Sequence, residues 1–180
     1  MALDTKRLYS VKTEEIKGEF FRYIRTKYAN EPLSTEGAFQ NGGRYNVAKL
    51  FAALYLGFDR QTCEAEISSG IAAGVPFKTG AFTVWRYKAN LQEVLRLDKD
   101  DTLNEIGITS LDITKLGDHW TASGIGEHIH NRGSEGIVAP SSQRPTGRCL
   151  NVFIDNLKSG SELDPLKNLG RWPTDQKQRA

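Results

Sequence analysis

The amino-acid sequence predicts a single domain of the α+β class. Its 180 residues suit one domain whose core is large enough to fold alone. Short apolar or alternating segments at 82–87, 136–139 and 150–154 predict β-strands. A helix is predicted to begin after Asp59, whose carboxylate can cap it, and to end at Gly70. Strands and helices therefore both occur in one chain.

The remaining elements follow from the same criteria. In chain order they are a short strand at 7–11, a strand or the start of a helix at 20–24, a loop at 30–43, a buried strand at 50–56, a strand or turn at 94–97, a charged turn at 98–101 and helices at 102–106 and 112–123. The last of these helices carries Leu116 and Trp120 on one face, at a spacing of four residues. After Lys158 the chain becomes polar, which predicts a tail with Trp172 packing it against the body.

Composition and charge argue against several classes of protein. A net charge of +2 does not indicate a nucleic-acid-binding surface. No apolar run approaches the twenty residues of a membrane span, and the N-terminus lacks the apolar middle of a signal peptide. Cys63 and Cys149 lie far apart and outside any CxxC pattern, so neither a zinc site nor a disulfide framework is predicted. We therefore expect a soluble, cytoplasmic protein, although an effector exported without a cleaved signal would have the same features.

Three histidines raise the question of a metal site. His128 and His130 would share one face of a strand, and His119 precedes them. A mononuclear site needs a third protein ligand, and no carboxylate or cysteine has a compelling spacing. The sequence favours a surface loop with two histidines, and we predict no metal.

The stretch from residue 41 to residue 66 concentrates groups that suit a phosphate-bearing ligand. Gly42 and Gly43 let the backbone approach a ligand closely, and they lead into Arg44. Tyr55 and Glu66 follow at successive intervals of eleven residues. An arginine can bind a phosphate bidentately, an aromatic ring can stack on a base, and a carboxylate can stabilise a positive transition state. Taken alone, the same residues also fit a turn and a solvated helix face.

The order of these motifs resembles the RES domain family, which is named for an Arg, a Glu and a Ser. The resemblance begins with GGRYN, ALYL and Glu66. It continues in EGIVAPSS, where Ser141 directly follows Pro140, and in Arg22 and Tyr23 of the opening strand. It covers residues 18–156, which leaves an N-terminal extension at 1–17 and the polar tail at 157–180.

The resemblance implies an ADP-ribosyltransferase-like fold, in which two small β-sheets with flanking helices form a cleft for NAD. The family is best known as the toxin half of bacterial toxin–antitoxin pairs. It implies cleavage of the nicotinamide–ribose bond of NAD, as substrate, with water or phosphate as acceptor. An ADP-ribosyltransferase with a protein target, and an inactive binding module of the same fold, are the alternatives.

The resemblance also assigns roles to residues and partners to the chain. Glu66 is expected to stabilise the oxocarbenium-like ribose, the arginines to hold the phosphates, the tyrosines to stack on nicotinamide or fix the ribose, and the serine to bind the ribose or the neighbouring strand. The expected catalytic residues are Glu66, Arg44 and Ser141, and the expected NAD-binding residues are Arg22, Tyr23, Arg44, Tyr55, Glu66 and Ser141. A cognate antitoxin or immunity protein that occludes the cleft is expected as partner, and a homodimer is a further expectation.

Overall fold

A computed structural model describes residues 5–69, 80–117 and 119–174. Six helices occur in these ranges: α1 (Thr5–Ser10), α2 (Glu36–Asn41), α3 (Arg60–Ser69), α4 (Asp100–Ile106), α5 (Ser110–Thr114) and α6 (Trp120–Asn131). The same ranges contain six strands: β1 (Glu14–Arg25), β2 (Leu54–Gly57), β3 (Phe82–Arg96), β4 (Gly136–Pro140), β5 (Arg148–Val152) and β6 (Glu162–Trp172). The α+β class is thus confirmed.

The strands form one sheet that closes on itself. Five of them pair in the order β1-β2-β5-β4-β3, and β3 pairs with β1 again, so that they make a five-stranded barrel. The two separate small sheets that we expected are not what the structure contains. The length of β3 explains the difference, because its fifteen residues serve several neighbours: 82–90 pair with β6, and 94–96 pair in parallel with β4.

Alternation along the strands divides the core between the barrel interior and its helix-covered side. In β4, Val138 faces a cluster built from barrel strands, whereas Ile137 and Ala139 face a cluster that includes residues of α4, α5 and α6. Successive side chains of a strand point to opposite faces, so one short strand supports both clusters. Helices α1, α4, α5 and α6 therefore pack on one side of the barrel, whereas α3, which carries Glu66, contacts β1 and β2.

Several local predictions are wrong. The loop predicted at 30–43 contains the helix α2, and the strand predicted at 50–56 begins only at Leu54. The segment 7–11 belongs largely to α1, because Leu8 and Val11 are spaced to pack on the helical cluster and Val11 N donates to the carbonyl of Arg7. The helix predicted at 112–123 is two helices, α5 and α6, and Gly117 between them has a φ of +75°. Leu116 and Trp120, which were predicted to share one helix face, lie on either side of this break and are 65% and 85% exposed.

The segment predicted as a polar tail contains β6. Leu163 is buried, and the strand pairs with β3 from Phe82 to Asn90. Most side chains of β6 face solvent, which explains why its sequence resembles that of a tail. Trp172 packs edge-on against Tyr23, with ring centroids 5.4 Å apart.

The helix end predicted at Gly70 lies outside the described residues. Among the helices of the described ranges, none is both long and apolar enough to cross a membrane.

Candidate functional site

A cleft of about 1150 Å³ opens beside the barrel and contains most of the residues singled out above. Five of the six predicted site residues line it: Arg22, Tyr23, Arg44, Tyr55 and Glu66. The sixth, Ser141, lies against Glu66 but does not line the cleft. Strand pairing explains why these residues converge. Strand β2 leads directly into α3, the helix of Glu66, and it pairs with β5. Strand β5 pairs in turn with β4, which precedes Ser141.

The carboxylate of Glu66 is held by the two serines that follow β4. Its Oε1 accepts hydrogen bonds from Ser141 Oγ at 2.5 Å and from Ser142 N at 3.0 Å. Ser142 Oγ lies 3.3 Å from the other oxygen, Oε2. These donors orient the carboxylate at the wall of the cleft.

The neighbouring carboxylate, Glu64, is engaged elsewhere. It accepts a 2.5 Å hydrogen bond from the hydroxyl of Tyr23, which in turn accepts a hydrogen bond from Arg60 Nε at 3.1 Å. Burial, followed by the bond to Glu64, raises the pKa of Tyr23 above its ordinary value. Glu66 and Glu64 therefore have different surroundings although they are two residues apart.

Helix α3 is anchored at its start by the predicted cap. Asp59 Oδ1 accepts a 2.8 Å hydrogen bond from Thr62 N, and Arg144 Nη1 lies 3.0 Å from Asp59 Oδ2. Burial tends to raise the pKa of Asp59, but the donors of Thr62 and the guanidinium of Arg144 hold it below its ordinary value. The cap predicted from sequence is thereby confirmed.

The loop that delivers Arg44 is built around the hydroxyl of Tyr55. This hydroxyl donates to Asn46 Oδ1 at 2.9 Å and accepts from Tyr45 N at 3.0 Å. A side chain on Gly43 would collide with the same hydroxyl, so the close approach requires glycine at that position. The Tyr55 hydroxyl thus supports the loop, and Tyr55 also lines the cleft.

Both arginines that line the cleft also donate hydrogen bonds to backbone carbonyls. Arg44 Nη1 donates to the carbonyls of Ile113 and Lys115, at 3.0 and 3.1 Å, and so ties α5 to the rim of the cleft. Arg22 donates to the carbonyls of Pro32 and Ser34, at 2.8 and 2.9 Å. A guanidinium carries five N–H donors, so two such bonds do not exhaust it.

The two cysteines line the cleft without being suited to nucleophilic attack. Burial raises the pKa of the Cys63 thiol to about 12, and it also raises the pKa of Cys149. Both thiols are therefore protonated at neutral pH, and the thiolate is the reactive form.

The histidines at 128 and 130 lie neither in a strand nor in the surface loop that the sequence favoured. His128 and His130 lie in α6, and His130 stacks on Phe51 while its Nε2 lies 2.8 Å from Asp155 Oδ2. His119, at the start of α6, lines the cleft. Within residues 5–69, 80–117 and 119–174, no group of three or more histidine, cysteine, aspartate or glutamate side chains could hold a metal ion.

Several lining residues were not predicted as site residues from the sequence. They are Ser142, Gln143, Cys149, His119 and the loop residues Leu116 and Gly117. Ser142 could have been found, because it follows directly on the serine of the motif. The loop could not, since the sequence there predicted a continuous helix.

The RES domain family model matches residues 19–173, which is most of the chain. This chain belongs to the RES domain family. The RES domain seen here also resembles a chain of the crystal structure of the M. tuberculosis MbcT–MbcA toxin–antitoxin complex, with a TM-score of 0.71 and 22% identity. The match covers 92% of this chain and 91% of that chain, and at this identity it establishes a shared fold. No curated protein matches the sequence.

Proposed function

We propose that this RES domain is a toxin that degrades NAD by cleaving the bond between nicotinamide and ribose. The observation that carries the proposal is Glu66, a carboxylate oriented at the wall of a cleft that Arg22 and Arg44 also line. The cleft is large enough for a dinucleotide, since ligand pockets commonly measure about 300–1,000 Å³. The described residues that line the cleft include one carboxylate and two arginines, which suits a substrate with a diphosphate and a ribose that becomes positive.

The chemistry needs little more than this carboxylate. The bond from ribose C1′ to nicotinamide breaks with its electron pair going to nicotinamide, which leaves as a neutral molecule. Glu66 would stabilise the positive ribose that remains. An oxygen of water or phosphate then bonds to C1′, and Glu66 would orient this acceptor and take a proton from water. With water, the products are nicotinamide and ADP-ribose.

The other cleft residues would bind the substrate. Arg44 and Arg22 would hold the two phosphates with the N–H groups that their backbone contacts leave. The hydroxyls of Tyr23 and Tyr55 are already hydrogen-bonded, so their rings are the parts suited to stacking against nicotinamide or ribose. The protonated thiols make a covalent cysteine intermediate unfavourable.

Chromatographic measurement of nicotinamide release tests the reaction. The purified protein, Glu66→Gln and the exposed helical control Glu105→Gln are incubated with NAD, with and without inorganic phosphate. We expect Glu66→Gln to be slower by roughly 100-fold or more, because it loses the charge that stabilises the positive ribose, and Glu105→Gln to match the wild type. Release without phosphate indicates a hydrolase, and release only with phosphate indicates a phosphorylase.

Two results would contradict the proposal. Full activity of a folded Glu66→Gln protein would remove the assigned role of this carboxylate. If the wild type releases no nicotinamide under either condition, NAD degradation is wrong, and a protein acceptor or a binding module becomes the better reading.

We further infer that a cognate antitoxin covers this cleft. The resemblance to a chain of a toxin–antitoxin complex supports such a partner. Beside the cleft, Leu116 and Trp120 are 65% and 85% exposed, and exposed apolar patches often mark interaction sites. Coexpression with the protein encoded beside this gene should restore growth, and Trp120→Ser should weaken the purified complex. A neighbour that neither binds nor protects would contradict the inference.

A further inference from the structure

The two consecutive serines at the end of β4 contact Glu66 in different ways. Ser141 is only 6% exposed. Its hydroxyl donates to Glu66 Oε1 and accepts hydrogen bonds from Gln143 N at 3.2 Å and Arg144 N at 3.1 Å. A hydroxyl has one hydrogen to donate and two lone pairs to accept with. The bonding capacity of Ser141 Oγ is therefore used entirely within the protein.

Ser142 is placed differently. It is half-buried and lines the cleft, as do its neighbours Pro140 and Gln143. Its backbone N–H bonds Glu66, whereas its hydroxyl makes only long approaches to that carboxylate, at 3.3 and 3.5 Å. Gln143 Nε2 donates to the same hydroxyl at 3.1 Å. This hydroxyl can rotate away from Glu66 toward a ligand, because the backbone bond keeps the carboxylate in place.

The loop that carries both serines is fastened to the helix that carries Glu66. Arg144 Nη1 contacts both oxygens of Asp59, at 3.0 and 3.1 Å, and Thr62 Oγ1 at 3.0 Å. The backbone N–H of the same Arg144 bonds Ser141 Oγ. The start of α3 and the serine loop therefore form one unit, which the Ser141 hydroxyl and the Ser142 backbone N–H both join to Glu66.

We propose that Ser141 is a positioning residue that acts on the reaction through Glu66, and that Ser142 is the serine that contacts the substrate, through a ribose hydroxyl. The inference rests on the proposed function, because it names the substrate contact of that same site. It departs from the expectation that Ser141 itself binds the ribose. Loss of Ser141 should impair the step that depends on the orientation of Glu66, and loss of Ser142 should impair binding.

Steady-state kinetics with NAD separate the two roles. Ser141→Ala should lower kcat by roughly 10-fold or more with little change in KM, since a hydrogen bond to a charged group is lost. Ser142→Ala should raise KM by roughly 3- to 10-fold with a smaller effect on kcat, since one neutral hydrogen bond to the substrate is lost. Thermal unfolding of each variant verifies that it is folded.

Measurements of NAD affinity in the Glu66→Gln variant, which is expected to cleave NAD slowly, test the same roles independently of kcat. NAD affinity is measured by calorimetry for Glu66→Gln alone and combined with each serine substitution. Ser142→Ala should still weaken binding by roughly 3- to 10-fold in this background, whereas Ser141→Ala should change it by less than about twofold.

The outcomes distinguish this inference from the proposed function. If NAD binds and is cleaved but Ser141→Ala weakens binding in the Glu66→Gln background as much as Ser142→Ala does, the division of roles is overturned. The same holds if Ser142→Ala leaves both KM and affinity unchanged. If the wild type neither binds nor cleaves NAD, the proposed function fails, and the assignment of a ribose contact fails with it.

Discussion

The hydroxyl of Tyr55 offers a quantitative test of how the Arg44 loop is held. Tyr55→Phe keeps the ring in the cleft and removes only the hydroxyl. The change leaves Tyr45 N and Asn46 Oδ1 without this partner, and both residues are almost fully buried, at 2% and 1% exposure. Two neutral hydrogen bonds with buried partners contribute about 1–3 kcal/mol together. We therefore expect the free energy of unfolding to fall by about 2 kcal/mol.

Urea denaturation followed by tryptophan fluorescence measures this change, and thermal unfolding should show a midpoint lower by about 4–8 °C. Tyr28→Phe is a matched control, because Tyr28 is 56% exposed and the change should be neutral there. The apparent affinity for NAD should also fall, since the loop that presents Arg44 is loosened. A Tyr55→Phe protein as stable as the control would refute the supporting role of the hydroxyl.

Three further predictions concern buried groups. Burial tends to raise the pKa of Glu135, but the backbone N–H groups that donate to its carboxylate outweigh this effect and lower the pKa. The ionised Glu135 therefore stabilises the fold at pH values above the ordinary glutamate range. This stabilisation is lost as the pH falls through the lowered pKa. Glu135→Gln should cost about 3 kcal/mol in urea denaturation at pH 7 and less at pH 3; an equal cost at both would contradict this. Gly126→Ala should destabilise the fold by about 1–3 kcal/mol and lower activity, because the new methyl group would collide with the backbone of Tyr45. An unchanged free energy of unfolding would show that α6 can shift to accommodate the methyl group. The thiol of Cys63, with its pKa raised to about 12, should react with iodoacetamide at pH 7 far more slowly than free cysteine; rapid alkylation of the folded protein would show that its pKa is not raised.

The parts of the site that could be predicted from sequence depend on short-range chemistry. Asp59 caps α3 because its carboxylate reaches a backbone N–H three residues away. Gly42 has a φ of +72° in the turn before Arg44, a conformation that glycine adopts readily. The spacing of Arg44, Tyr55 and Glu66 could therefore be interpreted before the fold was known, and the structure places all three at one cleft.

The sequence-based predictions of structure failed where contacts between distant segments determine the fold. The strand β6 has mostly exposed side chains, and only its pairing with β3 makes it part of the sheet. Residues 110–131 form two helices because the chain breaks around Gly117, where the sequence pattern had predicted continuity. Closure of the barrel brings together β1 and β2, whose one paired position is Phe21 with Gly57.

By itself, the sequence determined the class of the domain, its family and the identity of the groups at the cleft, because these follow from local pattern and motif order. Only the tertiary structure decided how those groups are used. Ser141 turns its hydroxyl toward Glu66 and two backbone N–H groups, while Ser142 faces the cleft, and no local rule distinguishes two adjacent serines. The difference arises because long-range pairing of β2, β4 and β5 sets the serine loop against α3. Side-chain direction at a loop depends on that packing and not on residue type.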